Sequence, residues 1–223
     1  MENIKKNYEL ILTKVNDIHK ASSFSKHKLP KLVAVSKKQE DYRVDMILAC
    51  GQKIFGENRV QEAVSRWKKR LETNLDLELR LIGPLQTNKV KQSLNFFNVI
   101  ETIDREKIAI EISKNFHNQV KTKSFYIQVN TGNEPQKSGI DPLQADTFIS
   151  YCIKDLNLPI TGLMCIPPIY EESSMHFLLL QKIAYRNNLS ELSMGMSSDY
   201  EDAIKFGATS IRVGSLLFGK RKV

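Results

Sequence analysis

Hydrophobic residues along this chain gather in short β-type runs, and between the runs they recur at helical spacing. The runs are KLVAV at 31–35, KIF at 53–55, LRLI at 79–82 and NVIETI at 98–103. Four more follow: FYIQV at 125–129, ITGLMC at 160–165, ELSMG at 191–195 and SIRVG at 210–214. Between them, Val60, Val64, Trp67 and Leu71, or Ile108, Ile112 and Phe116, fall on single stripes of a helix. Gly51 and Gly207 stand where helix-stop residues belong, and Pro159 closes the segment before the sixth run. Strands separated by helices pair in parallel through right-handed crossovers. Eight such units predict an α/β fold, a single-domain (β/α)₈ barrel.

The last unit breaks the rule. Only Ser215–Val223 follows the eighth strand, too little for a long closing helix. An extra amphipathic helix precedes the first strand, with Ile4, Tyr8, Ile11, Val15 and Ile18 on one stripe. It is expected to cover the outer barrel surface that a longer final helix would have covered. No linker, low-complexity tract or repeat intervenes, so residues 1–223 read as one domain.

Composition narrows the setting. The 223 residues are 41% hydrophobic and 26% charged, the mixture of an ordinary globular protein, long enough for one sizeable core. No apolar run is long enough to span a bilayer, and the charged start MENIKKNYELILTK lacks a signal-type stretch, so a cytoplasmic location is expected. Cys50, Cys152 and Cys165 lie among apolar residues without metal-type spacing, and the four histidines are scattered, so metal chemistry is set aside. The net charge of +8 raises nucleic acid as a partner. However, the basic residues are interleaved with acids, as where Glu62 and Glu72 bracket Arg66, Lys68, Lys69 and Arg70, and the basic tail is only Lys220-Arg221-Lys222. A solvated outer face is the better reading, with no nucleic acid and no membrane as partner.

In a parallel barrel, chemistry gathers on the loops leaving the C-terminal strand ends. Here those loops hold Ser36-Lys37, Gly56-Glu57-Asn58, Gly83-Pro84, Asn130-Thr131-Gly132, Ser197-Ser198 and Gly214-Ser215. Lys37 reads either as a solvated loop lysine beside Lys38 or as an amine held at the barrel mouth. Partial desolvation there would favour the neutral, aldehyde-attacking form. Arg212 interrupts an apolar strand. With Ile211 and Val213 facing the helices, parity puts it inside the barrel, where it needs a partner, either a carboxylate such as Glu101 or an acceptor on a ligand. Loops after the seventh and eighth strands often hold phosphate through backbone N–H groups, and Ser197, Gly214 and Ser215 are candidates for that cup. A reactive lysine, a phosphate cup on the opposite part of the rim and an inward arginine together describe a site for pyridoxal 5′-phosphate (PLP).

Several segments also carry a resemblance. KLVAVSK at 31–37, IFGENRVQE at 54–62, LIGPLQTNKVK at 81–91 and QVNTGNEPQKSGI at 128–140 are similar to the PLP homeostasis protein family. So are GLMCIPP at 162–168 and LSMGMSSDYEDAI…GATSIRVGSLLFGKR at 192–221. The resemblance implies a barrel related to the cofactor domain of alanine racemase. Lys37 would be the Schiff-base lysine and Arg212 would point at the pyridine nitrogen. Ser197, Gly214 and Ser215 would hold the phosphate, and Asn58 would lie near the cofactor. Ser215 stands where the family often has Thr, and 169–190 is shorter and less similar than usual.

Three functions compete: a PLP carrier or regulator without turnover, a PLP enzyme such as an amino-acid racemase, and a cofactor-free phosphosugar-type barrel or nucleic-acid binder. Lys37 and Arg212 favour the first two. A two-base racemase needs a second acid/base, in the similar racemases a tyrosine from another domain, and the early end of the chain favours the carrier. A permanent cation beside the ring nitrogen also weakens the ring as an electron sink. The expectation is an intracellular PLP carrier, a monomer, with apo PLP-dependent enzymes as candidate recipients.

Overall fold

The computed structural model describes residues 2–117 and 119–219. Lys220, Arg221 and Lys222 lie outside the described residues. The chain runs α1 (Glu2–Ala21), β1 (Lys31–Val35), α2 (Asp41–Ala49), β2 (Ile54–Glu57), α3 (Val60–Thr73), β3 (Glu78–Leu81), α4 (Val90–Phe96), β4 (Val99–Ile103) and α5 (Glu106–Asn115). It continues with β5 (Ser124–Gln128), α6 (Ala145–Ser150), β6 (Ile160–Met164), α7 (Ser173–Arg186), β7 (Glu191–Ser193), α8 (Tyr200–Lys205), β8 (Ser210–Val213) and α9 (Ser215–Phe218). A 3₁₀ turn at Thr87–Lys89 leads into α4, and a π-helical turn at Tyr151–Asp155 extends α6.

The strands pair in chain order into one closed parallel barrel, with β8 returning to β1. That last register sets Lys31 opposite Ser210 and Ala34 opposite Val213. Every predicted strand forms. Several ends shift by a residue or two, and one of them bears on the site: β2 runs on through Gly56 and Glu57, which the sequence placed in a loop. Gly56 is a strand residue because the barrel interior has no room there: a Cβ would sit 2.8 Å from Ile82 Cδ1 and 3.0 Å from Val33 Cγ1.

The principal core lies between the outer faces of the strands and the helices. Phe55, Leu79, Phe125, Leu163 and Ile211 are wholly buried there, and Trp67 of α3 packs on Phe55 with ring centroids 4.5 Å apart. α1 buries Ile4, Tyr8, Ile11 and Val15, with Ile18 partly covered, and rests on α2, α8 and the four-residue α9. Burial of each such side chain stabilises by roughly 1.5–3 kcal/mol. The helix thus covers the seam that the short final helix leaves open, as its stripe predicted.

Inside the barrel the filling is mixed. Val99, Tyr126 and Met164 form a small apolar cluster. Beside it stand the buried polar groups Arg80, Glu101, Ser193, Ser210 and Arg212. Cys152 and Cys165 are buried and free, and burial, opposed by Arg212, pushes the Cys165 thiol up to about 12, which leaves it inert. Among the described residues no helix is long and apolar enough to cross a membrane, and no cluster of His, Cys, Asp and Glu could hold a metal.

Candidate functional site

Lys37 lies just past β1 and is half-buried, while its neighbour Lys38 is exposed. The turn that carries it is tightly built. Lys38 adopts left-handed backbone, φ 57°, and the Gln39 N–H donates to the Ser36 carbonyl at 3.1 Å. Arg66 of α3 clamps both ends of this turn: Nη1 donates to the Ser36 carbonyl at 2.5 Å and Nη2 to the Gln39 carbonyl at 2.6 Å. Its Nε donates to Asp41 at 3.0 Å. Glu57, 1% exposed, completes the clamp. Its Oε1 accepts from Ser36 Oγ at 2.7 Å, Trp67 Nε1 at 3.0 Å and Arg66 Nη1 at 3.3 Å. The solvated face expected for Arg66 and Arg70 is therefore corrected. Their side chains are only 17% and 18% exposed, and Arg70 pairs with Asp45 at 2.7 Å and lies over the Trp67 ring. Interleaved acids signalled ion pairs here, but helical spacing alone could not show that they reach across to the β1 loop.

The phosphate-cup candidates converge. The backbone N–H groups of Gly214 and Leu216 both donate to Ser197 Oγ, at 3.4 Å each, so the β7 and β8 loops meet through one hydroxyl. Ser215 is exposed and opens α9. The β7 loop is turned by Asp199, whose Oδ1 accepts from the Met196 N–H at 2.6 Å. Burial pushes the Asp199 carboxyl up, opposed by that N–H and by Arg212. Gly214 has φ −121°, and a Cβ there would stand 3.4 Å from Val35. What it supplies is closeness to the end of β1 rather than unusual backbone freedom. The expectation of a cup on the opposite part of the rim is corrected by the same contact. Barrel closure sets β8 beside β1, so the cup adjoins the lysine loop.

Arg212, 4% exposed, occupies the interior as parity predicted. Its partner differs from expectation. Glu101 does not meet it directly, because a hydroxyl intervenes: Arg212 Nη1 donates to Ser193 Oγ at 2.7 Å, and Ser193 Oγ donates to Glu101 Oε2 at 2.6 Å. Arg212 Nη2 donates to the Cys165 carbonyl at 2.7 Å. Glu101 Oε1 is taken by Arg80 Nη1 at 2.9 Å. Burial alone would lower the Arg80 guanidinium, but Glu101, Tyr126 and Glu78 hold it above its ordinary value. The same signal that exposed Arg212, a charge inside an apolar strand, was present in LRLI and would have revealed Arg80.

Asn58, at the end of β2, is half-buried, and its buried Oδ1 accepts no hydrogen bond from the described residues. With Gly83, Pro84, Asn130, Lys137 and Ile166 it lines a cavity of about 270 Å³ over the barrel mouth. Gly83 lets the two loops touch, since a Cβ there would fall 2.4 Å from the Asn58 carbonyl oxygen. A larger concavity of about 530 Å³, between His19, Phe24, Tyr185 and Gly207, lies at the other end of the barrel and contains none of these residues.

Comparison with known proteins bears on the fold and the family. The family model for the alanine racemase N-terminal domain matches residues 14–222. A pyridoxal phosphate homeostasis protein of Aquifex aeolicus is 38% identical over 86% of this chain and 87% of its own. The protein of the same name from Vibrio cholerae is 36% identical over 99% of this chain and 98% of its own. Among solved structures, PipY of Synechococcus elongatus without PLP superposes with a TM-score of 0.83 at 29% identity, covering 97% of this chain and all of that one. The form with PLP bound gives 0.75 at 30% identity, over 91% and 99%. With that coverage and identity, the chain belongs to the alanine racemase N-terminal domain family, among its pyridoxal phosphate homeostasis proteins.

Proposed function

We propose that residues 1–223 act as one PLP-binding domain that holds the cofactor as a Schiff base on Lys37 and stores and releases it without turning over amino acids. The observation that carries this reading is the β1–β8 seam, which sets the lysine loop beside the Ser197–Gly214–Leu216 cup with Arg212 beneath. The residues suit the ligand. Backbone N–H groups that otherwise share one hydroxyl can turn to a phosphate, Arg212 can donate to a ring nitrogen, and Asn58 Oδ1 is a buried acceptor awaiting a donor. Ser215, exposed beside them, can add a hydroxyl.

When bound, PLP would supply an aldehyde that a lysine amine such as that of Lys37 could hold reversibly, with water as the other product. The chain's own part is to hold the amine. The Arg66–Glu57 clamp fixes the turn that presents the half-buried Lys37. Arg212 stays cationic at any working pH, so it disfavours protonation of a ring nitrogen and mutes the ring as an electron sink. That property, with the names carried by the relatives, supports storage over turnover. On this reading the protein works as a cytoplasmic monomer, with PLP as ligand and apo PLP-dependent enzymes as recipients, and engages neither nucleic acid nor membrane.

The test incubates PLP-loaded protein with single L-amino acids and follows optical rotation and keto-acid release, while a parallel assay follows reactivation of an apo PLP enzyme. Reactivation without turnover is expected. Robust racemisation or transamination that disappears in Lys37→Ala would replace the carrier with a racemase-like enzyme.

A further inference from the structure

We propose that Ser193, Glu101 and Arg80 are positioning residues that aim the Arg212 guanidinium at the ring nitrogen of the ligand and make the site selective for a ring with an acceptor there. This rests on the reading that the site takes PLP.

The direction of every bond in this chain is fixed by chemistry. Ionised Glu101 only accepts, so Ser193 must spend its one proton on Oε2, at 2.6 Å. The lone pairs of Ser193 then face Arg212 Nη1, which donates at 2.7 Å. The far end is anchored independently: Arg80 Nε donates to Glu78 at 2.6 Å, and its Nη1 also reaches Ser210 Oγ at 3.3 Å. The Cys165 carbonyl holds Nη2 of Arg212 from β6. A guanidinium on a long flexible stem is thus tied from two neighbouring strands and can present its remaining donor capacity only to an acceptor. Arg212 spends these bonds on a hydroxyl and a carbonyl rather than on a carboxylate, which leaves its positive charge toward the ligand and against a protonated ring.

Stability does not explain this network. Buried ion pairs can often be replaced by well-packed apolar residues without loss, and the neighbouring Val99, Tyr126 and Met164 show that this interior accepts them. Arg80 alone, with its second carboxylate partner Glu78, would satisfy one oxygen of Glu101. The hydroxyl of Ser193 satisfies the other oxygen and, unlike an apolar replacement, also carries the order on to Arg212.

The experiment measures binding of PLP, and of its analogue with the ring nitrogen replaced by CH, to the wild-type protein, Ser193→Ala, Ser193→Val and the Ser193→Thr control. Wild type should prefer PLP. Ser193→Val should lose about ten-fold in PLP affinity, the worth of one charge-assisted hydrogen bond, and nothing toward the analogue, while Ser193→Thr retains the preference. Ser193→Ala reports the same comparison if the larger valine does not fold. Equal losses for both ligands, or an unchanged preference in a folded variant, would overturn the positioning role while leaving PLP binding intact. Failure of wild-type protein to bind either ligand would overturn the PLP reading itself and this inference with it.

Discussion

Glu57 Oε1 accepts the hydroxyl proton of Ser36 at 2.7 Å, tying the end of β2 to the residue that precedes Lys37. The same oxygen serves Trp67 and Arg66, so its loss would strand a buried indole N–H and a hydroxyl at once, while Arg66 keeps Asp41 and the two loop carbonyls. Glu57→Ala should destabilise the fold by about 2–5 kcal/mol, the cost of leaving two buried donors unsatisfied. Denaturant unfolding measures this. A loss below about 1 kcal/mol would show that the clamp does not hold the lysine loop.

Lys37→Ala should abolish borohydride-trappable PLP while the protein still folds, because the side chain removed is half-buried and lies in a loop. Peptide mapping of the reduced wild-type protein should place the pyridoxyl group on Lys37. A label found chiefly on Lys38 or Lys89 would reject the assignment.

Ser197→Ala should separate phosphate binding from ring binding. It removes the hydroxyl on which the Gly214 and Leu216 N–H groups converge. PLP affinity should fall about ten-fold, while affinity for pyridoxal, which lacks the phosphate, stays unchanged. Parallel losses for the two ligands, read by fluorescence titration, would remove the cup from this loop.

Asp199 offers a test in pH. Burial raises its carboxyl above the ordinary value, so the folded state binds the proton more tightly than the unfolded chain. Stability from this group is complete below its unfolded pKa of about 3.9 and is lost as pH rises through the higher folded value. Asp199→Asn keeps an acceptor for the Met196 N–H without the charge. Its melting temperature should exceed that of wild type at neutral pH, and the difference should shrink as the medium is acidified. An Asn variant less stable than wild type at neutral pH would show that the charge, not the acceptor, holds the loop.

Much of the fold was legible because the strands are largely buried on both faces and read as short, mainly apolar runs. The two arginines inside the barrel interrupt that pattern, and only Arg212 was identified from it. Strand ends were harder. Gly56 looks like a turn former in isolation, but it serves here as the one side chain small enough to pass Ile82 and Val33. Lys37, Ser197 and Gly214 could be placed on their loops from strand order alone. Their proximity follows from closure of an eight-stranded barrel, and placing the cup on the opposite part of the rim overlooked it. The relay through Ser193 was out of reach, as it joins β7 to β4 across the interior, where strand order does not say which side chains meet. Periodicity reports which way a residue faces, not what it meets there.

Lys37 and Gly214 stand on opposite banks of the joint between β1 and β8, with nearly the whole chain between them in sequence. Neither the first nor the last part of the chain carries both halves of the grip. A cofactor held by both would act as a bolt across the final joint of the ring, resisting its opening in proportion to the ligand present. Protease resistance around the joint should therefore rise with occupancy, and the bound vitamin would certify that the ring is whole.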